Sequence, residues 1–166
     1  MNKKIVVMGV SGCGKSVIAK KLAQHYMFPF FDGDDFHPQE NVDKMGNGMA
    51  LNDEDRGSWL FKLNHIINKN DSLVLSCSAL TQAHRDQLKR GNDGVQFVYL
   101  KGSRDLIWSR LKLRTGHYFT GEAMLESQLE TLVEPSAGEA IAVDIDHSIE
   151  DIVNLSIALL DCRKYT

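Results

Sequence analysis

The sequence predicts an α/β fold of three layers, in which helices flank a five-stranded parallel sheet. Five short apolar runs recur along the chain, separated by longer segments of helical periodicity. Four of these runs show little alternation between polar and apolar residues, which is typical of strands buried on both faces of a parallel sheet. The five runs lie at residues 5–8, 28–31, 73–75, 95–100 and 140–143.

Capping residues mark the helices between these strands. A Ser or Thr side chain placed before a periodic segment can accept a hydrogen bond from a free N–H group of the first helical turn. The predicted helices run from Ser103 to near Gly116, from Thr81 to near Gly91, over residues 52–70, and onward from Ser148, which with Asp151 resembles a capping box. Such helices supply the crossovers that a parallel sheet requires.

Length and composition predict one globular domain spanning residues 1–166. Hydrophobic residues make up 43% of the chain and charged residues 25%, close to the averages of globular proteins. The formal net charge of −3 gives no basic excess for a nucleic-acid backbone, so general nucleic-acid binding is disfavoured. No apolar segment reaches the length of a signal-peptide core or a membrane span. The three cysteines form no CxxC pair, which favours a reduced, cytoplasmic protein.

A phosphate-binding loop follows the first predicted strand and opens a helix. Residues 9–16 read Gly-Val-Ser-Gly-Cys-Gly-Lys-Ser and match G-x-x-x-x-G-K-[ST]. The glycines let backbone N–H groups point at phosphate oxygens, and the helix N-terminus adds a positive dipole end. Lys15 is predicted to act in catalysis on the β- and γ-phosphates, and Ser16 to bind Mg²⁺. The residues predicted to bind ATP are Gly9, Val10, Ser11, Gly12, Cys13, Gly14, Lys15, Ser16 and Val17.

Acidic residues follow the second predicted strand, at the sheet edge where open α/β sheets bind ligands. One carboxylate there can orient Mg²⁺, and another can accept the proton of an attacking hydroxyl group. Asp32 and Asp34 are predicted to do this, because the phosphate loop lies one strand away. For Asp35 and His37, a functional role and a solvated turn are evenly balanced interpretations.

These motifs, taken together with others, carry a resemblance to a known family. The sequence contains Asp-Gly-Asp-Asp-Phe-His-Pro at 32–38, Leu-Asn-Asp-Glu-Asp-Arg at 51–56, Ser-Cys-Ser-Ala-Leu at 76–80, Arg-Thr-Gly-His at 114–117 and Ser-Gln at 127–128. In this order and spacing they make the chain resemble bacterial gluconokinase nearly end to end. The resemblance implies transfer of phosphate from ATP, with Mg²⁺, to the 6-hydroxyl of D-gluconate. It also implies a P-loop kinase fold similar to shikimate kinase, a mobile lid and a homodimer.

The resemblance assigns roles to three side chains. Asp34 looks like the catalytic, substrate-facing acid, and Asp32 like the acid on the magnesium side. Arg56 looks like the arginine that binds the substrate carboxylate, by analogy with shikimate kinase; the alternative is a surface arginine paired with a neighbouring acid. The sequence departs from the family at Cys13 and Val17, where Ser and Thr are usual, and at residues 117–120, where His-Tyr-Phe-Thr replaces His-Phe-Met-Pro.

A lid is predicted over residues 115–128, because glycine, histidine and aromatic residues interrupt the helical pattern at its start. Arg110 and Arg114 are spaced i, i+4 and therefore share one helix face beside it. We predict that Arg114 stabilises the transferring phosphoryl group and that Arg110 contacts the nucleotide, as an alternative to a solvated basic stripe. His117 is predicted to contact substrate or to act as a hinge.

Two further residues near the third strand are candidates for binding the acceptor substrate. Ser78 follows that strand at the ligand-binding edge, where small residues let the backbone approach a sugar acid. Arg85, in the next helix, is predicted to reach the substrate or the acidic turn. An equally weighted alternative places Arg85 on a solvated helix face.

Competing functions remain open at this stage. Residues 68–71 match the guanine-reading N-K-x-D pattern and residues 43–46 match D-x-x-G, which would fit a nucleotide switch. Both lie in the wrong structural context, the first ahead of a strand and the second within a helical region. Shikimate or a nucleoside monophosphate also remains possible as acceptor, because a fold does not fix a substrate.

Overall fold

Five parallel strands form one sheet in the computed structural model, which describes residues 2–113 and 120–163, with only the backbone of Thr120. The strands are β1 (Lys4–Met8), β2 (Phe30–Asp32), β3 (Leu73–Ser76), β4 (Val95–Lys101) and β5 (Ala140–Asp144). Their order across the sheet is β2-β3-β1-β4-β5. In the register, Val6 lies between Leu75 and Phe97, so β1 is central. The predicted five-stranded parallel sheet is confirmed.

Seven α-helices accompany these strands in the described part of the chain. They are α1 (Lys15–Tyr26), α2 (Gln39–Gly46), α3 (Asp53–Lys69), α4 (Gln82–Lys89), α5 (Arg104–Leu111), α6 (Thr120–Thr131) and α7 (Ile149–Cys162). A 3₁₀ turn, Gly33–Phe36, follows β2 directly. None of the helices described is both long and apolar enough to cross a lipid bilayer.

The capping residues predicted at Thr81, Ser103 and Ser148 begin their helices as expected, and Asn52 caps α3 in the same way. Asn52, Thr81, Ser103 and Ser148 each accept a hydrogen bond from the backbone N–H three residues on. Two predicted boundaries differ from the structure. Helix α5 ends at Leu111 rather than near Gly116. Strand β2 begins at Phe30 rather than residue 28, because the Phe28 N–H is bonded to Ala23 O and completes the end of α1.

The core has two layers, one on each face of the sheet. Alternate residues of β1 point to opposite faces, so that Ile5 and Val7 pack with α1 and α7. Val6 and Met8 pack against the other face with α3. All four of these β1 side chains are at most 1% exposed. This arrangement is the predicted three-layer α/β fold.

The two edges of the sheet differ in what they carry. The carboxyl ends of β1, β2 and β3 lead into the phosphate loop, the 3₁₀ turn and residues 77–80 respectively. Residues 68–71 span the end of α3 and the turn that leads from it to β3, at the opposite edge, while residues 43–46 lie within α2. The segments that match the guanine-switch patterns therefore lie in the structural contexts that the sequence indicated, the first ahead of a strand and the second within a helix.

Candidate active site

The phosphate loop curls between β1 and α1 with two glycines in left-handed conformations that matter for its shape. Gly12 has φ +85°, and a Cβ atom there would lie 2.4 Å from Cγ of Leu111 in α5. Gly14 has φ +93° and is the N-cap of α1 without any side chain to cap it. The first N–H groups of a helix have no partner within the helix, so those of α1 are available to an anion.

A pocket of about 280 Å³ lies directly over this loop. Its walls include Gly12, Lys15 and Ser16 from the loop and Asp34 from the 3₁₀ turn. The Lys15 ammonium donates to the carbonyl oxygen of Val10 at 3.0 Å, so the side chain folds back over the loop. A lysine and a row of backbone N–H groups around one pocket form a site for phosphate oxygens.

Asp32 is held at the junction of three segments. Ser16 Oγ donates to Asp32 Oδ2 at 3.2 Å, and Ser76 Oγ donates to Asp32 Oδ1 at 3.4 Å. The backbone N–H of Asp34 also donates to Asp32 Oδ1, at 3.0 Å. A hydroxyl and a carboxylate oxygen side by side are ligands that suit Mg²⁺. Among the residues described, no group of three or more His, Cys, Asp or Glu side chains could hold a metal ion.

Asp34 stands out from the 3₁₀ turn into open space. Its side chain is 78% exposed, and it lines both the phosphate pocket and a second pocket beside it. The turn sits tightly against β3, since a Cβ atom on Gly33 would lie 2.4 Å from the carbonyl oxygen of Ser76. The fixed turn thus presents an accessible carboxylate between two pockets.

The second pocket brings together four of the six residues that the sequence proposed for the acceptor substrate. Asp34, His37, Arg56 and Ser78 all line it, as does Lys15. The pocket is therefore a candidate site for a small molecule that lies next to the phosphate loop.

Arg56 supplies a buried positive charge to this second pocket. Its residue is 6% exposed, and its guanidinium lies 4.0 Å from the carboxylate of Asp53, whose own side chain is 88% exposed. Burial is the main cause that lowers the pKa of Arg56, and the nearby Asp53 and Asp55 act in the opposite direction. A buried cation whose ion-pair partner, among the described residues, is distant and solvated is suited to binding an anionic group.

His37 packs against the wall of the same pocket. Its ring stacks on Trp59 with 4.1 Å between the ring centroids, and Trp59 Nε1 donates to Gly33 O at 2.7 Å. His37 Nε2 lies 3.7 Å from Asp34 Oδ1. Burial is the main cause that lowers the pKa of His37; Asp34 raises it and Arg56 lowers it further.

Arg85 does not lie in a position from which it could bind the substrate. The residue is 0% exposed, so it does not lie on a solvated helix face, and it lines neither of the two pockets described above. Its guanidinium donates to Glu139 at 2.7 Å, to Ala79 O at 2.8 Å and to Val133 O at 2.9 Å. The predicted substrate contact is therefore corrected: Arg85 ties three segments of the chain together inside the protein.

The residues predicted around the lid are only partly described. Arg110 donates to the carbonyl oxygen of Ile145 at 2.6 Å, which ties α5 to the turn after β5. Arg114 and His117 lie outside the described residues. Of the predicted lid, residues 120–128 belong to α6, and Gly121 and Met124 line the phosphate pocket.

Gln128 is a site residue to which the sequence reasoning gave no role. Its side-chain oxygen accepts from the backbone N–H of Ser11 in the phosphate loop at 2.7 Å, and the residue lines the second pocket. The Ser-Gln pair at 127–128 drew attention only as part of the family resemblance. A neutral amide within a helical pattern has no chemical signal of its own to mark it.

The chain is similar to known proteins over most of its length. Residues 11–137 match the family model described as shikimate kinase. The chain is 45% identical to the thermoresistant gluconokinase of Escherichia coli K12, with 96% of this chain and 94% of the relative covered. It is 40% identical to the thermosensitive gluconokinase of the same organism, with coverage of 90% and 83%. The crystal structure of a gluconokinase from Sinorhizobium meliloti 1021 superposes with a TM-score of 0.91 at 39% identity, over 97% of this chain and 93% of the other. The chain belongs to the gluconokinase family, within the shikimate-kinase group of P-loop kinases.

Proposed function

We propose that this protein transfers the γ-phosphoryl group of ATP to the 6-hydroxyl of D-gluconate, giving 6-phospho-D-gluconate and ADP. The observation that carries the proposal is the position of Asp34 between two pockets. One pocket has the donors for nucleotide phosphates, and the other has a buried arginine for a carboxylate. The relatives that bear the name gluconokinase support gluconate as the acceptor.

The residues on the phosphate side bind and orient ATP. The loop N–H groups and the N-terminus of α1 hold phosphate oxygens, and Lys15 exchanges its bond to Val10 O for the β- and γ-phosphates. Mg²⁺ supplies neutralisation of the phosphate charge, and Ser16 and Asp32 would hold it. The hydrogen bond of 3.2 Å between Ser16 Oγ and Asp32 Oδ2 supports this assignment, because it shows that the two side chains are neighbours.

The residues on the acceptor side position gluconate and take its proton. Arg56 pairs with the carboxylate through two parallel hydrogen bonds, which directs the far end of the sugar acid toward the phosphate pocket. Asp34 accepts the proton of the 6-hydroxyl as its oxygen attacks the γ-phosphorus. Ser78 and His37 line the same pocket as these two groups.

Other parts of the proposal rest on the sequence. Arg114 stabilises the transferring phosphoryl group, Arg110 contacts the nucleotide, and His117 contacts substrate or acts as a hinge as the lid closes. The chain works as one domain over residues 1–166 and forms a homodimer. The continuous sheet supports the single domain, since β1 to β5 all join it.

ADP release, measured with separate acceptors, tests the proposal. Gluconate, shikimate and a panel of nucleoside monophosphates are each supplied with ATP and Mg²⁺, beside a sample without acceptor. We expect gluconate-dependent turnover. Activity with shikimate or a nucleoside monophosphate but not with gluconate would rule out gluconate as the acceptor and still support phosphoryl transfer. GTP hydrolysis without any acceptor would instead favour a nucleotide switch.

Asp34→Asn probes the mechanism in the same assay. The variant loses the base but no phosphate donor, so we expect kcat to fall by about 10²–10⁴-fold while ATP binding is unchanged. Nucleotide titration by calorimetry provides the matched control. Turnover near that of the unchanged protein would contradict the role of Asp34.

A further inference from the structure

The amide of Asn41 is fixed by two neighbours inside the protein. Asn41 belongs to α2 and is 3% exposed. Its side-chain nitrogen Nδ2 lies 2.7 Å from the carbonyl oxygen of Asp55 and 3.2 Å from Nδ1 of His37. A carbonyl oxygen can only accept a hydrogen bond, so the amide nitrogen, and not the amide oxygen, must face Asp55.

This fixed amide determines which nitrogen of His37 carries the proton. The Asn41 NH₂ group can donate but cannot accept, so His37 Nδ1 must offer its lone pair. The neutral imidazole then has its proton on Nε2, and the doubly protonated ring would place two donors against each other. Stacking on Trp59 holds the ring in place, since the His37 side chain is 3% exposed.

The Nε2–H group of His37 is directed toward the catalytic carboxylate. Nε2 and Asp34 Oδ1 are 3.7 Å apart, which is longer than a direct hydrogen bond. The Nε2–H donor of His37 and the Oδ1 acceptor of Asp34 are therefore both available to a ligand. A hydroxyl group beside them can accept from Nε2–H and donate to Asp34 at the same time.

We infer that Asn41 is a positioning residue that keeps His37 in the Nε2–H tautomer, so that His37 and Asp34 present one donor and one acceptor to a hydroxyl group of the acceptor substrate. The inference rests on the proposed function for the identity of that substrate. Such a pair favours an alcohol over a carbonyl group at this position, because a carbonyl oxygen cannot donate to the Asp34 carboxylate.

Nitrogen NMR of histidine-labelled protein tests the tautomer without any substrate. We expect an unprotonated Nδ1 and a protonated Nε2 for His37, with the signal assigned by its loss in His37→Gln. His84 is an internal reference, because its Nδ1 accepts from the backbone N–H of Thr81 at 3.2 Å. A protonated Nδ1 on His37 in the unchanged protein would overturn the inference.

Asn41→Asp is a nearly isosteric second test of the same point. An aspartic acid at position 41 needs any proton it carries for the carbonyl oxygen of Asp55, so toward the ring it can only accept, and the ring should now carry a proton on Nδ1. The His84 signal should not move. An unprotonated His37 Nδ1 in this variant would show that residue 41 does not set the tautomer.

Steady-state kinetics tests the contact with substrate. His37→Leu removes the donor, and we expect kcat/KM for gluconate to fall by roughly tenfold, as for loss of one hydrogen bond to a charged or polar partner. His37→Gln keeps an N–H near Nε2 and should recover part of the loss, while KM for ATP stays unchanged. Equal losses in the two variants would contradict a donor role for His37.

A matched control separates positioning from general stability. Asn64 also donates from a partly buried amide to two backbone carbonyls, Leu88 O and Arg90 O, both at 2.9 Å, but it lines neither pocket. We expect Asn41→Leu to lower kcat/KM and Asn64→Leu to leave it unchanged. Absence of gluconate turnover in the unchanged protein would count against the proposed function alone, because the tautomer measurement requires no substrate.

Discussion

Arg56 and Arg85 are both buried, but they differ in how many partners their guanidinium groups have within the protein. Arg85 has hydrogen bonds to Glu139 and to two backbone carbonyls, so its donors are committed within the protein. Arg56 has only Asp53 as an ion-pair partner among the described residues, at 4.0 Å. A guanidinium that keeps donors available next to a pocket can bind a ligand, whereas a fully committed one stabilises the fold.

Replacing Arg56 tests its role in recognising the acceptor. Arg56→Lys keeps the charge but loses the planar pair of donors, and Arg56→Met loses both. We expect KM for gluconate to rise by roughly 30-fold or more in the Met variant and by less in the Lys variant, since truncating a buried charge pair costs about 2 kcal/mol or more. KM for ATP serves as the control and should stay constant. A parallel rise in both KM values would argue against a carboxylate contact.

Replacing Arg85 tests whether its internal hydrogen bonds stabilise the fold. Arg85→Met leaves the carboxylate of Glu139, whose side chain is only 10% exposed, without its charged partner. We expect unfolding in urea to show a loss of about 3–5 kcal/mol. Lys89→Met on the same helix breaks only the exposed pair with Asp86 at 3.8 Å and should cost about 1 kcal/mol or less. Equal losses in these two variants would contradict an internal role for Arg85.

At the scale of elements, the 3₁₀ turn after β2 depends on its first residue. A Cβ atom on Gly33 would meet a backbone oxygen of β3 at 2.4 Å, which no side-chain rotation can relieve. The turn also carries Asp34 and accepts the indole N–H of Trp59. Position and packing of this short element therefore depend on the absence of a side chain.

Gly33→Ala should disturb the site through this turn. We expect a loss of stability of about 1–3 kcal/mol, as for overpacking, and a fall in kcat because Asp34 moves with the turn. Gly57→Ala is the matched control, since a Cβ atom there has no heavy atom within 4 Å. It should leave kcat unchanged and cost little in stability. Equal kcat in Gly33→Ala and the unchanged protein would show that the turn can shift without moving Asp34.

Sequence patterns predicted the elements well where one local signal decides them. The predicted capping residue Ser103 lies directly before the start of α5, and the apolar run of β1 marks a doubly buried strand. The end of α5 at Leu111 was less predictable, because the helical pattern continues beyond it. Asp32 and Ser16 were foreseen as neighbours since parallel strands bring their carboxyl ends together.

Contacts between segments far apart in the sequence could not be predicted from local sequence patterns. Arg85 meets Glu139 across 54 residues, and Ser11 meets Gln128 across 117. An arginine in a polar helix has the same local pattern whether it points to solvent or to the interior. The choice depends on the segment that packs over it, which local periodicity does not encode.

At the scale of the whole molecule, two buried histidines link stability to pH. Burial is the main cause that lowers the pKa of both His37 and His84. A histidine with a lowered pKa in the folded state binds fewer protons there than in the unfolded chain. Its contribution to stability is therefore present above its unfolded pKa, near 6.5, and is lost as the pH falls through its folded pKa.

His84→Gln isolates part of this dependence. Glutamine three residues after the N-cap Thr81 preserves a capping box, so the helix start is kept while the titrating group is removed. We expect the free energy of unfolding to fall less between pH 7 and pH 5 in this variant than in the unchanged protein. Urea unfolding at both pH values measures the difference. An identical pH dependence would mean that His84 is not a linked group.

The direction in which α7 runs has a practical consequence for chemical labelling. The helix starts after the carboxyl end of β5 and returns about 21 Å along the sheet. Near its end, Leu160 O accepts a hydrogen bond from Lys3, just before β1. Cys162 is exposed there, whereas Cys13 and Cys77 are buried and burial raises the pKa of the Cys77 thiol to about 12. A maleimide dye or a surface tether should therefore attach at Cys162 and leave the pockets at the opposite edge accessible.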